Sequence, residues 1–123
     1  MTVRVLVVDD LSDMRTLLGF SLRRNNWEVL EARNGEQAIE VARAENPDII
    51  IMDYDMPKMN GLEACRALSN DPSTASIPII IYTGYGASHV KDDVMKAGAR
   101  SFLLKPITPN RLRDEIQSFL PPE

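Results

Sequence analysis

The sequence predicts an α/β fold, a doubly wound five-stranded parallel sheet with helices on both faces. Four apolar runs, at residues 5–8, 49–52, 79–82 and 102–104, lack the alternation of half-exposed strands. Continuous apolar runs of this kind are typical of parallel strands covered on both sides. Segments with helical periodicity separate the runs, and β–α units of about 25 residues suit right-handed crossovers.

The first unit consists of the strand Arg4–Val8 and an amphipathic helix. Ser12 is the candidate N-cap of this helix, and Asn25-Asn26 ends it. A second strand is predicted over Trp27–Ala32. The side chains that follow the i, i+3, i+4, i+7, i+8 pattern of an inward helix face are Met14, Leu17, Leu18, Ser21 and Leu22.

Helix signals also define the second and third units. Asn34 opens a helix, and Gln37 is placed to complete a capping box. Asn46-Pro47 stops that helix, because the residue before a proline disfavours helical geometry. The third strand is predicted over Asp48–Asp53, and a helix over Leu62–Leu68 follows a polar loop.

The last two units follow the same order. A strand over Ile77–Thr83 precedes a helix from about Ser88–Lys96, and Gly98 is its left-handed cap. The fifth strand is Arg100–Leu104. Thr108-Pro109 is an N-cap and N1 pair, which predicts a final helix that ends before the C-terminal proline pair.

Composition indicates the compartment and excludes some partners. The net charge of −4 argues against general affinity for nucleic acid or anionic membranes. The single cysteine, Cys65, excludes an internal disulfide and suits a reducing cytoplasm. No segment approaches the roughly 20 apolar residues of a membrane-spanning helix. We therefore expect a soluble cytoplasmic protein.

Polar residues that can handle phosphate or metal follow four of the predicted strands. These are Asp9-Asp10, Asp53, Thr83 and Lys105. Each alone has an ordinary explanation as a turn, a cap or a strand end. Because all occur at the same topological position, they converge at the sheet edge where open α/β folds bind ligands. The second strand ends in Ala32, as expected for an edge strand.

This convergence predicts phosphoryl chemistry. Three carboxylates against one ammonium would raise carboxyl pKa values unless a cation neutralised them. All-oxygen ligands favour Mg²⁺ over zinc, with Mn²⁺ as the substitute. Asp53 ends the central strand and is the candidate nucleophile toward phosphorus. Lys105 and Thr83 would hold two phosphoryl oxygens.

The same residues resemble the receiver domains of two-component response regulators. The resemblance covers essentially the whole chain. In particular, the chain is similar to the single-domain chemotaxis members of the family, which are flavodoxin-like with strand order 2-1-3-4-5. It therefore implies one receiver domain over residues 1–123. The segments that carry it are Val5–Asp10, Met52–Gly61, Thr83-Gly84, Lys96–Ala99 and Phe102–Pro106.

The resemblance implies roles at the acidic end of the site. Asp53 would be phosphorylated from a phosphohistidine on a sensor histidine kinase or a histidine phosphotransfer protein. Asp9, Asp10, Asp53 and the backbone carbonyl of Asp55 would hold Mg²⁺. The chain would be a switch that phosphorylates and dephosphorylates itself, not a turnover enzyme.

It also implies how the switch is transmitted. Thr83 would move toward the phosphoryl group, and Phe102 would swing inward behind it. The surface of the fourth helix, fifth strand and fifth helix would then change for an output protein. The bond between Lys105 and Pro106 is expected to be cis, an isomer found at only about 5–6% of X-Pro bonds.

Three residues depart from the common pattern of the family. Gly84 stands where alanine is frequent and should widen access to the phosphate. Asp55 and Tyr85 lie two residues past the phosphorylated aspartate and the threonine, at positions that tune phosphate lifetime. We expect Tyr85 to shield the phosphate from water.

Two other classes share parts of the pattern. Haloacid dehalogenase phosphatases also place an aspartate two residues before another, as in Asp53-Tyr54-Asp55, but Pro57 stands where their motif has Thr or Val. Flavodoxins share the fold, but the acidic segment Asp9–Asp13 would repel a phosphate without metal. Turnover of a phosphate ester would favour the first class, and a coloured preparation the second.

The output is expected to be a protein. Arg100-Ser101 stands where DNA-binding regulators that dimerise through this face often carry an acidic pair. No DNA-binding segment accompanies the predicted domain. We therefore expect a single-domain regulator that acts by protein contact, without direct binding to nucleic acid or membrane.

Overall fold

The computed structural model describes residues 2–84 and 88–121. Within these ranges, five parallel strands form one sheet in the order β2-β1-β3-β4-β5. The predicted fold class and strand order are confirmed. The elements in chain order are β1 (Arg4–Val8), α1 (Ser12–Arg23), β2 (Glu28–Ala32), α2 (Gly35–Glu45), β3 (Ile49–Asp53), α3 (Gly61–Asn70), β4 (Ile79–Thr83), α4 (Ser88–Lys96), β5 (Ser101–Leu104) and α5 (Pro109–Ser118).

Successive strand residues point to opposite faces of the sheet, and this alternation produces two cores. One lies under α2, α3 and α4 and includes Cys65, which is buried as a packing residue. The other lies under α1 and α5. All residues of β3 and β4 are buried, whereas β2 lies at the edge and is partly exposed. Among the helices of the described residues, none is long and apolar enough to cross a membrane.

Helix α1 differs from its prediction in two ways. Ser12 is its first helical residue rather than its N-cap. The N-cap position is taken by Leu11, which has an extended backbone and makes no side-chain hydrogen bond to the helix. Leu17 was expected on the inward face but is 58% exposed. Leu18 and Leu22 face the sheet, and Leu17 lies about 100° around the helix from Leu18.

The caps of α2 and α3 also differ from expectation. Asn34 accepts a hydrogen bond from the Gln37 N–H at 2.8 Å, as predicted. The Gln37 side chain, however, accepts from the Arg33 N–H, so the predicted capping box is only half formed. A complete capping box opens α3 instead, between Asn60 and Glu63.

The remaining boundaries lie close to the predictions. Thr108 caps α5 by accepting from the Arg111 N–H at 3.1 Å, with Pro109 in the first turn. Gly98 has φ 119°, a left-handed conformation that follows α4. Four strands begin one or two residues later than predicted. Their observed first residues are Glu28, Ile49, Ile79 and Ser101, against the predicted Trp27, Asp48, Ile77 and Arg100.

Candidate metal centre

The carboxyl ends of β1 and β3 bring three carboxylates together. Asp9 follows β1 directly and Asp53 is the last residue of β3, and these strands are neighbours in the sheet. Asp9, Asp10 and Asp53 each offer an oxygen, and these oxygens lie within 4.8 Å of one another. Asp9 and Asp53 are buried and Asp10 is exposed. Three carboxylate oxygens with an open side fit a hard cation that keeps part of its water shell, such as Mg²⁺.

Asp9 is held through its side chain and its main chain. Its Oδ1 accepts from the Leu11 N–H at 2.9 Å, and its Oδ2 accepts from the Tyr82 hydroxyl at 2.7 Å. Its carbonyl accepts from Arg15 Nη1 at 2.7 Å, and its N–H donates to the Ala32 carbonyl at 3.1 Å. Short bonds to both oxygens fix the orientation of this carboxylate.

Asp53 is held more loosely. Lys105 Nζ lies 3.4 Å from its Oδ1, and the Asp55 N–H donates to the same oxygen at 3.4 Å. Burial, and then the charge of Asp9, raise the pKa of Asp53 to about 6, against the opposing effect of Lys105. Without a cation, this carboxyl is therefore close to half-protonated near pH 6.

The ends of β4 and β5 complete the site. Thr83 is buried at the end of β4, and its hydroxyl donates to Asp55 Oδ2 at 3.4 Å. Lys105 directly follows β5, and its bond to Pro106 is cis. Phe102 pairs with Ile81 and is half-buried against the core under α2, α3 and α4.

The structure thus brings most of the predicted site residues to one sheet edge. Phe102 lies within β5, in the core behind that edge. Tyr85 lies outside the described residues. The residues that meet at the edge are Asp9, Asp10, Asp53, Asp55, Thr83 and Lys105.

Tyr82 is a site residue that the sequence analysis missed. It is buried and pairs in register with Asp53 on the neighbouring strand. Its hydroxyl donates to Asp9, and Lys105 Nζ lies 5.1 Å from the centre of its ring, within the range of a cation–π contact. Burial, and then the charge of Asp9, raise the pKa of Tyr82 far above its usual range. The signal in the sequence is a phenol directly after three isoleucines and next to Thr83.

Gly61 is a second such residue, and it acts through the main chain. Its N–H donates to the Tyr54 carbonyl at 2.8 Å, and the Tyr54 N–H donates to the Tyr82 carbonyl at 2.9 Å. A Cβ at Gly61 would lie 2.9 Å from both the Asp53 carbonyl oxygen and Tyr54 Cα. The end of β3 therefore needs glycine here because of close approach.

Comparison with known proteins gives consistent matches. The family model of the response regulator receiver domain matches residues 5–117. PilH of Pseudomonas aeruginosa is 37% identical over 117 residues, which cover 95% of this chain and 97% of PilH. The chemotaxis protein CheY of Thermotoga maritima is 38% identical over 115 residues, or 92% and 93% of the two chains. The structure of CheY4 of Vibrio cholerae superposes with TM-score 0.92 at 30% identity, over 98% of this chain and 100% of CheY4.

Longer proteins are also similar to this chain. It is 32% identical over 120 residues to PhoP of Bacillus subtilis, an alkaline phosphatase synthesis transcriptional regulatory protein, and spans 49% of that protein. Such matches extend over nearly the whole of this chain. The family model, the relatives of similar length and the superposed structure agree. They show that the chain belongs to the response regulator receiver domains, and the function of this family is phosphorylation-based two-component signalling.

Proposed function

We propose that Asp53 is the phosphorylated residue, and that its donor is a phosphohistidine on a sensor histidine kinase or a histidine phosphotransfer protein. Receiver domains interact with such partners. The observation that carries this assignment is the environment of Asp53. It is 3% exposed at the end of β3, in a group of three carboxylate oxygens, with the Lys105 ammonium 3.4 Å away.

The transfer uses three groups at this sheet edge, the Asp53 carboxylate, the Lys105 ammonium 3.4 Å from it and the Thr83 hydroxyl. A carboxylate oxygen of Asp53 forms a bond to phosphorus while the bond from phosphorus to the donor imidazole nitrogen breaks, and the electron pair stays on that nitrogen. The Lys105 ammonium binds one phosphoryl oxygen, and the Thr83 hydroxyl binds another. Positioning and charge neutralisation are the main requirements of phosphoryl transfer.

Receiver domains bind Mg²⁺ at an acidic pocket, and the oxygen donors at this sheet edge fit that ion. Its ligands in this chain would be Asp9, Asp10, Asp53 and the backbone carbonyl of Asp55, with Mn²⁺ as a substitute. When bound, the ion neutralises charge on the crowded carboxylates and on the incoming phosphoryl group. Asp9 supplies the most rigid ligand, because both of its oxygens accept short hydrogen bonds.

The output is a protein–protein contact on the surface of α4, β5 and α5. Met95 on α4 is 39% exposed and Leu104 on β5 is 52% exposed, which gives this surface apolar contact area. Thr83 and Phe102 couple it to the phosphoryl group. Residues 1–123 act as one cytoplasmic receiver domain and switch, with no direct contact to nucleic acid or membrane.

Intact mass tests the acceptor. The purified chain is incubated with Mg²⁺ and acetyl phosphate, whose phosphorus–acetate bond breaks as the bond to Asp53 forms. We expect the mass of one added phosphoryl group, lost when Mg²⁺ is chelated, and no addition to Asp53→Asn. The matched control is Asp55→Asn, which removes an exposed carboxylate but keeps the proposed carbonyl ligand. It should still be phosphorylated.

Two results would contradict this assignment. One is an adduct on Asp53→Asn that equals that of the native chain. The other is an absence of any adduct on the native chain with Mg²⁺ present. Sustained hydrolysis of a generic phosphate ester would instead favour a phosphatase.

A further inference from the structure

The phenol of Tyr82 contacts both signs of charge in the site. Its hydroxyl donates to Asp9 Oδ2 at 2.7 Å, and its ring lies 5.1 Å from the Lys105 ammonium. In register it is the partner of Asp53. One buried side chain thus adjoins a metal ligand, the acceptor and the phosphate-binding cation that the proposed function names.

We propose that Tyr82 is a positioning residue for the metal centre, and that its hydroxyl holds the Asp9 carboxylate in the orientation that binds Mg²⁺. This role rests on the proposed function, since it requires Asp9 to be a metal ligand.

The reach of the side chain supports this role. Neighbouring strands lie about 4.8 Å apart, so β4 and β1, which have β3 between them, are separated by about 10 Å. Tyr82 covers that distance under the end of β3 and makes a short bond with Asp9. A phenylalanine would fill the same space without reaching an acceptor.

Repulsion among the three carboxylates makes the orientation of Asp9 depend on its hydrogen bond with Tyr82. Asp9, Asp10 and Asp53 approach within 4.8 Å, and like charges at that distance favour rotation of a carboxylate away from its neighbours. The Leu11 N–H restrains Oδ1 of Asp9, and the Tyr82 hydroxyl restrains Oδ2. Hydrogen bonds that orient a ligating carboxylate commonly change metal affinity by about tenfold to a hundredfold.

The alternative is that the hydroxyl only needs an acceptor because it is buried. The two explanations differ in their dependence on Mg²⁺. A structural role lowers stability equally with and without the ion. A positioning role also reduces the rise in melting temperature that Mg²⁺ produces, because that rise depends on the dissociation constant.

Calorimetric titration of the metal-free protein with Mg²⁺ measures the effect directly. We expect Tyr82→Phe to raise the dissociation constant about tenfold. The matched control is Tyr54→Phe, which deletes a hydroxyl one residue past Asp53 from a half-buried ring that packs in the opposite core. Its dissociation constant should equal that of the native chain. Melting temperatures with and without Mg²⁺ should show a smaller rise for Tyr82→Phe alone.

A double-mutant cycle with Asp9 distinguishes this role from a general weakening of the fold. Tyr82→Phe in an Asp9→Asn background should cause less further loss of Mg²⁺ affinity than in the native background, because the bond acts through the Asp9 carboxylate. Equal Mg²⁺ affinities for the native chain and Tyr82→Phe would overturn the role of Tyr82 and leave the proposed function standing. A native chain that binds no Mg²⁺ would overturn both.

Discussion

The ends of β1 and β3 each carry a buried aspartate, and the fold treats the two differently. Asp9 accepts hydrogen bonds at both oxygens, at 2.9 Å from a backbone N–H and at 2.7 Å from the Tyr82 hydroxyl. Asp53 has contacts from Lys105 and from the Asp55 N–H, both 3.4 Å long and both to Oδ1. The two carboxylates are neighbours, but only Asp9 has short bonds to both oxygens.

The difference suits the two proposed roles, in which Asp9 is a metal ligand alone and Asp53 is both a metal ligand and the nucleophile. Strong donors stabilise a carboxylate charge and fix its direction, as a metal ligand requires. A carboxylate with weaker donors in a buried, acidic environment keeps its basicity, and the pKa of Asp53 is raised to about 6. Burial first, and then repulsion from Asp9, make the ionised carboxylate of Asp53 unfavourable in the metal-free fold. Changes at the two strand ends should therefore differ in their effects on stability.

The largest expected effect is on stability without metal. The pKa of Asp53 rises from 3.8 to about 6, and a shift of that size corresponds to roughly 3 kcal/mol. The native state binds this proton more tightly than the unfolded state, so the ionised carboxyl destabilises the fold progressively as pH rises from about 4 to 6. Asp53→Asn should therefore raise the free energy of unfolding by up to about 3 kcal/mol at about pH 8, and by almost nothing near pH 4. Urea titrations at both pH values measure it.

Asp9→Asn is the comparison that decides whether donors cause the difference. It also removes one charge from the cluster, but it replaces charge-assisted hydrogen bonds from Tyr82 and Leu11 by weaker ones. Its gain at about pH 8 should be clearly smaller than that of Asp53→Asn. Asp93→Asn, an exposed change on α4, should stay within about 0.5 kcal/mol of the native chain. Equal gains at Asp9 and Asp53 would refute the distinction.

Addition of Mg²⁺ should remove the destabilisation that the ionised Asp53 carboxylate causes at the end of β3. A cation that binds the folded state stabilises it by about 2.7 kcal/mol at a hundred times its dissociation constant. It also lowers the pKa of Asp53, so the fall in stability between about pH 4 and 6 should flatten. Chelation should restore the slope, and Asp10→Asn should weaken the effect. A slope that is identical with and without saturating Mg²⁺ would show that the ion binds elsewhere.

Strand ends explain why so much of the site could be predicted. Asp9, Asp53, Thr83 and Lys105 each follow or end an apolar strand, so the topology alone brings them to one edge. Their chain order identifies the edge without any distance. The strand order itself came from resemblance, because apolar runs do not specify which strands are neighbours.

The residues that were missed depend on geometry at longer range. Tyr82 ends an apolar run and resembles a core residue, and its acceptor lies two strands away at the end of β1. Gly61 matters because the β3 main chain passes 2.9 Å from where its Cβ would be. Leu17 follows the helical stripe, but only a narrower stripe of α1 meets the sheet. Local periodicity in the sequence shows neither how far a side chain such as Tyr82 reaches nor how closely a main chain passes a residue such as Gly61.

The last expected effect concerns how the main chain at the end of β3 is held. Hydrogen bonds from the Tyr82 hydroxyl and the Leu11 N–H fix the Asp9 carboxylate, whereas the main chain at Asp53 packs against Gly61. In Gly61→Ala, the new Cβ would meet backbone atoms at 2.9 Å, and the loop must shift. We expect a loss of about 1–3 kcal/mol in the free energy of unfolding, as for other overpacked sites. Phosphorylation by acetyl phosphate should also slow, because the shift displaces Asp53 from Lys105.

Gly84→Ala is the matched control for this loss. An added Cβ there meets no atom within 4 Å in the described part of the chain, so stability should change by less than about 0.5 kcal/mol. A Gly61→Ala protein as stable as Gly84→Ala would mean that the loop relaxes freely. The position of Asp53 would then depend on its contacts with Lys105 and the Asp55 N–H. Each aspartate would be held by one side-chain donor and one backbone N–H, and the two would differ in the lengths of these contacts and in whether one or both carboxylate oxygens take part.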